Sequence, residues 1–237
     1  MTQVHFIGGE KGGVGKSVVA RLLAQFWIDR ETRWTGFDAD PSHGALLRYY
    51  DGFARSISVQ RPRDLDSILE VASGESATPP EHVLVDLAAQ SDRALHDWID
   101  AGGVLDLAKD LGVGVLFWHV MDDGKDSVSL LDALFARYGE RARYVVVLNR
   151  GRGEDFAMFH GSATESRAAA LGARVIELPA LHKPTMLLID QLDKSFWAAT
   201  QRASGDASSS LGMMDRQRVK VWLQRVYAGF QGIEQLA

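Results

Sequence analysis

Apolar and polar positions along this chain alternate in the way expected for repeated strand and helix units. Short apolar runs, each suited to a buried strand, lie at 4–7, 34–37, 57–59, 82–85, 113–120, 144–148 and 174–178. Apolar residues recur at helical spacing at Val19, Leu22, Leu23 and Phe26, and similar patterns cover 65–71, 127–138 and 163–171. This order predicts an α/β fold with a doubly wound, mostly parallel sheet flanked by helices.

The last quarter of the chain has a different pattern. Residues 203–211 are rich in Ser and Gly, which favours a mobile loop. An amphipathic helix is predicted at 216–236, with apolar side chains at Val219, Trp222, Val226, Phe230 and Ile233. No internal repeat and no clear boundary is visible, so we expect one domain over residues 1–237.

Composition and charge narrow the functional classes. The net charge of −5 argues against a protein that binds nucleic acid over its whole surface. The chain has no cysteine, which excludes disulfides, thiolate zinc sites and iron–sulfur clusters within it. No targeting segment is visible at the N-terminus and no run of about 18 apolar residues occurs, so we expect a cytoplasmic protein.

A glycine-rich loop follows the first predicted strand and precedes the first predicted helix. Gly12, Gly13 and Gly15 let several backbone N–H groups point at one anion, and the helix N-terminus adds its dipole there. Lys16 then supplies a charge for the β- and γ-phosphates, and Ser17 a hydroxyl ligand for Mg²⁺. We therefore predict a P-loop for Mg²⁺-ATP, with the nucleotide-binding residues Gly12, Gly13, Val14, Gly15, Lys16, Ser17 and Val18.

The segment Lys-Gly-Gly-Val-Gly-Lys-Ser at 11–17 resembles the deviant Walker A signature of the ParA/MinD family of ATPases. Glu10 stands where the general P-loop pattern has its first glycine, and Lys11 is the extra lysine of the deviant form. In that family the early lysine reaches across a dimer interface to the partner's nucleotide. The resemblance therefore implies that Lys11 is catalytic and that the protein forms a homodimer with ATP.

Carboxylates stand at the ends of two predicted strands, next to the expected P-loop. The sequence Asp38-Ala39-Asp40-Pro41 is similar to the family's second motif, which implies that Asp40 activates the attacking water and that Asp38 supports the Mg²⁺ shell. Asp86 ends a run that resembles a Walker B strand, whose aspartate holds Mg²⁺ through water. Two positions depart from the family pattern: Ser42 replaces the usual glutamine, and Ala88 the usual proline.

The base pocket is predicted from the later strands. The resemblance implies that Asn149 reads the adenine edge, beside Arg150, and that the backbone near Pro179 closes the pocket. An Asn after a strand is also a common turn residue, so both roles stay open for Asn149. The segment lacks the Asn-Lys-x-Asp pattern of many GTPases, which favours adenine over guanine.

Two surface features allow more than one interpretation. Six arginines late in the chain suit either nonspecific DNA binding or a solvated face balanced by nearby acids; they are Arg141, Arg143, Arg150, Arg152, Arg167 and Arg174. The terminal amphipathic helix suits either membrane binding or packing on the domain. Glutamines and an acid dilute its cationic face, so we favour packing and expect no membrane partner.

These observations predict a slow ATPase that dimerises with Mg²⁺-ATP and separates after hydrolysis, with an unidentified partner protein that stimulates or reads the switch. The resemblance implies work in plasmid or chromosome partition, in conjugation or mobilisation, or in positioning a cellular assembly. Two alternatives remain: an ATP-dependent ligase or kinase for a small molecule on the same scaffold, and a nucleotide-binding scaffold with negligible hydrolysis.

Overall fold

A computed structural model describes residues 1–40, 44–75, 78–202 and 210–233. The strands in these residues are β1 (Gln3–Gly8), β2 (Trp34–Asp38), β3 (Ala54–Ser56), β4 (His82–Asp86), β5 (Gly114–Met121), β6 (Arg143–Asn149) and β7 (Arg174–Leu178). They form one parallel sheet in the order β3-β2-β4-β1-β5-β6-β7. The predicted doubly wound α/β fold is confirmed.

Helices cover both faces of the sheet. They are α1 (Lys16–Ile28), α2 (Ala45–Tyr49), α3 (Pro62–Ser73), α4 (Asp92–Ala101), α5 (Val104–Asp110), α6 (Lys125–Tyr138), α7 (Ala163–Ala170), α8 (Lys183–Gln191) and α9 (Met213–Gln231). Apolar side chains of α3 to α7 pack on one face, and those of α1, α2, α8 and α9 pack on the other. Burial on both sides explains why the central strands are continuously apolar rather than alternating.

One predicted strand was wrong and several boundaries moved. The short third strand was expected at 57–59, but it covers Ala54–Ser56, and Ile57 and Val59 follow it. Both side chains are buried, so their apolar character reflects core packing and not strand pairing. Four helices were not predicted: α2, α4, α5 and α8.

The C-terminal helix packs on the body of the protein. It begins at Met213 and ends at Gln231, and its buried side chains Val219, Trp222, Val226 and Phe230 join the core on the α1 face. Residues 234–236 of the predicted helix and 203–209 of the predicted loop lie outside the described residues. Among the helices that the structure describes, none is long and apolar enough to cross a membrane.

Parallel pairing brings the carboxyl ends of the central strands to one edge of the sheet. Gly8 at the end of β1 pairs with His119 of β5, and Asp86 at the end of β4 pairs with both Ile7 and Asp38. From β1 the chain continues to β2 in one half of the sheet, and from β4 it crosses past β1 to β5 in the other half, which is the topology that leaves a ligand crevice at this edge.

Candidate functional site

The loop between β1 and α1 has the backbone geometry of an anion cradle. Gly13 and Gly15 have φ angles of 77° and 105°, in the left-handed region that favours glycine. Gly15 is also the N-cap of α1 and supplies no side-chain hydrogen bond to the first N–H groups of that helix. Those N–H groups are therefore available to a phosphate, with the positive end of the helix dipole behind them.

Lys16 is folded onto the loop that it follows. Its side chain is buried, and its Nζ donates to the carbonyl oxygens of Gly9 at 2.7 Å and Lys11 at 2.9 Å. Burial lowers the pKa of this ammonium group, and the carboxylates of Asp92, Asp86 and Asp40 partly offset that effect. The charge thus sits within the cradle, where the β- and γ-phosphates of a bound nucleotide would lie.

Lys11 has different partners from Lys16. Its Nζ lies 2.7 Å from Oδ2 of Asp122, which follows β5, and about a third of its side chain is exposed. Asp122 also accepts hydrogen bonds from the Ser127 hydroxyl at 2.7 Å and the Gly124 N–H at 3.1 Å. The hydrogen bond with Asp122 raises the pKa of Lys11. The two lysines of the loop are therefore held by separate groups, one inside the cradle and one at its rim.

Asp86 is a buried carboxylate without a hydrogen-bond partner among the described residues. Both of its oxygens are inaccessible, and the nearby Ser17 hydroxyl does not reach hydrogen-bonding geometry. Burial and then the neighbouring charge of Asp38 raise the pKa of Asp86 to about 7, while Ser17 and Lys16 act in the opposite direction. A carboxylate buried in this way is costly unless something compensates its charge.

Asp38 is also fully buried, but its oxygens have partners. One oxygen accepts the Asp40 N–H at 3.1 Å, and the other accepts those of Leu46 at 2.9 Å and Leu47 at 3.3 Å, in the first turn of α2. Burial raises the pKa of Asp38, and these hydrogen bonds reduce the shift. Asp38 therefore fixes the start of α2. The sequence did not predict this role, because it did not predict α2. Its predicted part in the Mg²⁺ shell stays a prediction.

The donor set at this edge fits Mg²⁺. The ion prefers oxygen ligands and usually takes one or two carboxylates with substrate phosphates and water. Asp86 and Ser17 are hard oxygen donors beside the phosphate cradle, and neither carboxylate oxygen of Asp86 has a hydrogen-bond partner among the described residues. The described residues contain no group of three or more His, Cys, Asp or Glu that would build an all-protein metal site.

Asp40 stands at the entrance to the segment 41–43, which lies outside the described residues together with Ser42. It is close enough to Lys16 and Asp86 for its charge to act on the pKa of both. The structure thus brings the predicted water-activating carboxylate to the cradle, and its role stays a prediction.

The Asn149 side chain hydrogen-bonds to the backbone of the P-loop. Its Nδ2 donates to the Val14 carbonyl at 2.7 Å, and its Oδ1 accepts the Gly151 N–H at 2.9 Å. A Cβ on Gly15 would collide with this amide, so the close approach requires glycine. Both polar atoms of Asn149 are occupied by backbone groups. Adenine reading by Asn149 stays a prediction, and the structure adds a positioning role for this side chain.

The other predicted base-pocket residues make contacts of their own. The Arg150 guanidinium pairs with Glu177 at 2.7 Å and donates to the Glu154 carbonyl at 2.6 Å. The Pro179 carbonyl accepts the indole N–H of Trp222 at 2.6 Å, which ties α9 to this end of the sheet. Their contact with a base stays a prediction.

Two acidic residues near the site were not found from the sequence. Asp122 holds Lys11, and Asp92 begins α4 where its charge acts on Lys16. Burial and then the charge of Glu10 raise the pKa of Asp92. The rule that located Asp38 and Asp86, a carboxylate directly after a strand, also applies to Asp122 after β5 and would have found it.

The six arginines of the candidate DNA surface do not form one patch. Arg143 and Arg174 begin their strands, while Arg150 and Arg152 follow the carboxyl end of β6, a full strand length away. Several are paired with acids: Arg141 with Asp106, Arg150 with Glu177 and Arg167 with Asp132. This arrangement supports the interpretation as a charge-balanced surface.

Comparisons with known proteins agree with this geometry. The chain matches no protein-family model. It is 26% identical to a Protein TraL of Escherichia coli over 240 residues, 93% of this chain and 94% of that protein. A second Protein TraL of Escherichia coli is also 26% identical, over 248 residues that cover 96% of this chain and 97% of that protein.

Among solved structures, the MinD cell division protein of Aquifex aeolicus superposes with a TM-score of 0.54 at 13% identity, over 96% of this chain and 97% of MinD. A plasmid partition protein of Borrelia burgdorferi, solved with AMPPNP, gives 0.51 at 13% identity, over 94% of this chain and 99% of that chain. The resemblance first seen in the loop sequence is thereby confirmed, and this chain has the ParA/MinD type of P-loop NTPase fold.

Proposed function

We propose that this protein is a Mg²⁺-ATP-dependent switch that dimerises with ATP and separates after hydrolysis. The observation that carries the proposal is the buried carboxylate of Asp86 beside Ser17 and Lys16, which has no hydrogen-bond partner among the residues that the structure describes. A carboxylate in that state is stabilised by a cation, and the adjacent cradle is suited to the phosphates that would bring one. Bound Mg²⁺ would neutralise charge on the β- and γ-phosphates.

The protein's own residues divide the remaining work. The glycine loop and the N-terminus of α1 bind phosphate, and Lys16 exchanges its two carbonyl partners for phosphate oxygens. Asp40 directs water toward the γ-phosphorus. Lys11 leaves Asp122 and reaches the nucleotide of a second copy. Since the Lys11–Asp122 pair is partly exposed, breaking it costs little, about 1 kcal/mol or less.

The setting that we propose is plasmid biology in the cytoplasm. The similar fold of a plasmid partition protein supports partition, and the nearly full-length similarity to TraL fits a branch linked to conjugation. In either setting an unidentified partner protein would read the ATP and ADP states. Nonspecific DNA remains a candidate partner to be tested by its salt dependence.

The first experiment is the solution mass by light scattering of an Asp40→Ala variant, measured with Mg²⁺-ATP and with Mg²⁺-ADP. A dimer with ATP, absent with ADP and lost on adding Lys11→Ala, supports the switch. Lys109→Ala is the matched control, because Lys109 is an exposed lysine on α5, away from the cradle. A monomer in every condition despite ATP binding would refute the dimer mechanism.

That refuting outcome would favour a small-molecule ligase or kinase. A cavity of about 330 Å³ adjoins the P-loop between α4 and α6, and Gly9, Asp92 and His119 help to line it. A pocket of this size next to the cradle suits a small acceptor. Turnover that requires an added acceptor would identify this second function.

A further inference from the structure

Gln90 has a backbone conformation that is unusual for its place in the chain. Its φ is 64°, and the non-glycine residues with positive φ in the described part of the chain are Glu31, Gln90 and Asp193. Glu31 and Asp193 follow the ends of α1 and α8, where a left-handed residue commonly terminates a helix. Gln90 instead precedes a helix, in the loop that joins Asp86 to α4. No terminating role explains its conformation.

Two residues close to Gln90 in sequence lie near the phosphate cradle. Ala89 lies against the P-loop, since a Cβ added to Gly12 would be 3.9 Å from the Ala89 Cβ. Two residues beyond Gln90, the carboxylate of Asp92 acts on Lys16. The loop that carries Gln90, which begins at the candidate Mg²⁺ ligand Asp86, therefore borders the rim of the cradle.

The Gln90 side chain is exposed and makes no hydrogen bond with any residue that the structure describes. Its amide offers an oxygen that accepts from water and a nitrogen that donates to a phosphate oxygen. Strained, non-glycine positions cluster at functional sites, where the surrounding structure maintains them. A strained residue with a free amide at the rim of a phosphate site is suited to hold a water molecule.

We propose that Gln90 is a further catalytic residue, which acts together with Asp40 to orient the attacking water in ATP hydrolysis. This inference rests on the proposed ATPase function. Water attacks the γ-phosphorus and forms a new P–O bond, while the bond to the β–γ bridging oxygen breaks. That oxygen leaves on ADP, and the proton of the water is released with inorganic phosphate. Gln90 accepts a hydrogen bond from the water and is itself unchanged.

The test compares Gln90→Gly with Glu31→Gly. Both substitutions put glycine at a left-handed position, so we expect both to shift Tm by the same small amount, within about 3 °C of wild type. Only Gln90→Gly removes the amide at the cradle. We expect its single-turnover hydrolysis rate to fall at least about 10-fold with ATP affinity within twofold of wild type, because orienting water acts on the transition state. Glu31→Gly should hydrolyse ATP at the wild-type rate.

The Gln90→Asn variant retains a side-chain amide, and Asn tolerates the left-handed conformation. Its hydrolysis rate should therefore lie between those of Gln90→Gly and wild type. A Gln90→Gly rate within twofold of wild type, in a preparation where wild type turns over, would overturn the role of Gln90 and leave the ATPase function standing. Absence of turnover in wild type would overturn the ATPase function itself, and this role with it.

Discussion

Replacing Asp86 by Asn should stabilise the nucleotide-free protein at pH 8. The carboxylate is buried next to Asp38, it has no hydrogen-bond partner in the described part of the chain, and its pKa rises from 3.8 to about 7. That shift corresponds to about 4 kcal/mol against folding with the group ionised. The buried Asn amide would lack hydrogen-bond partners, which lowers the free energy of unfolding by about 1–3 kcal/mol. A net gain of about 1–3 kcal/mol remains, or a Tm higher by roughly 3–10 °C for a chain of this size.

The sign of the pH dependence follows from the direction of the shift. Because the folded-state pKa of Asp86 lies above its unfolded value, its protonation stabilises the fold below about pH 4, and that contribution is lost as the pH rises to about 7. The difference in Tm between Asp86→Asn and wild type should therefore be small at pH 4.5 and large at pH 8.

The assay is thermal unfolding at both pH values, with and without Mg²⁺-ATP. At pH 8, Mg²⁺-ATP should raise the Tm of wild type more than that of Asp86→Asn, since only the carboxylate gains from the cation. Asp38→Asn is the matched control: it also removes a buried charge, but its single amide oxygen cannot accept all three backbone N–H groups that the carboxylate accepts, so it should stabilise the protein less than Asp86→Asn. An Asp86→Asn variant less stable than wild type at pH 8 would refute the reasoning.

Three further predictions concern the loop, the histidines and Lys11. Asn149→Ala should weaken binding of ATP and of inorganic tripolyphosphate alike, because the side chain supports Val14; calorimetry that finds a loss for ATP alone would indicate base reading instead. Burial lowers the pKa of His119 and of His82 from 6.5 to about 4, so the fold loses stability as the pH falls from 6.5 toward 4. In the Asp86→Asn background, the urea concentration at the unfolding midpoint should therefore be constant above pH 6.5 and fall toward pH 4. A midpoint that stays constant down to pH 4 would contradict this prediction. Asp122→Ala frees Lys11, so the ATP-bound dimer should form at roughly two- to fivefold lower protein concentration in sedimentation, and an unchanged dimer constant would show that the pair does not restrain Lys11.

Sequence patterns predicted the sheet well because its strands are buried on both faces. A run such as 144–148 must be apolar throughout, and β6 covers Arg143–Asn149 around it. Helices with weak periodicity were missed, and α2 is the clearest case. It has five residues, and its first turn depends on the carboxylate of Asp38, eight positions before Leu46. A cap supplied from another element leaves no local signal.

The candidate site also contains some residues that the sequence predicted and others that it did not. The P-loop was readable because its glycines, Lys16 and Ser17 are adjacent in sequence and each has a fixed chemical task. Asp122 stands after a strand, where the rule used for Asp38 and Asp86 could have found it, but its partner could not be predicted: Lys11 and Asp122 are 111 positions apart and meet only after β1 and β5 pair. Asn149 was predicted as a base-pocket residue, which stays a prediction, while its contact with Val14 depends on β6 lying two strands from β1.

The sequence by itself determined the fold class, the phosphate loop and the carboxylates that end β2 and β4. Those features depend on local periodicity, glycine conformations and adjacent residue types, which act over a few positions. Only the tertiary structure decided that Lys11 is held by Asp122, and that among the described residues neither the buried carboxylate of Asp86 nor the exposed amide of Gln90 has a hydrogen-bond partner. Burial, charge coupling and hydrogen bonding depend on which segments the folded sheet brings together, and no short stretch of sequence contains that information.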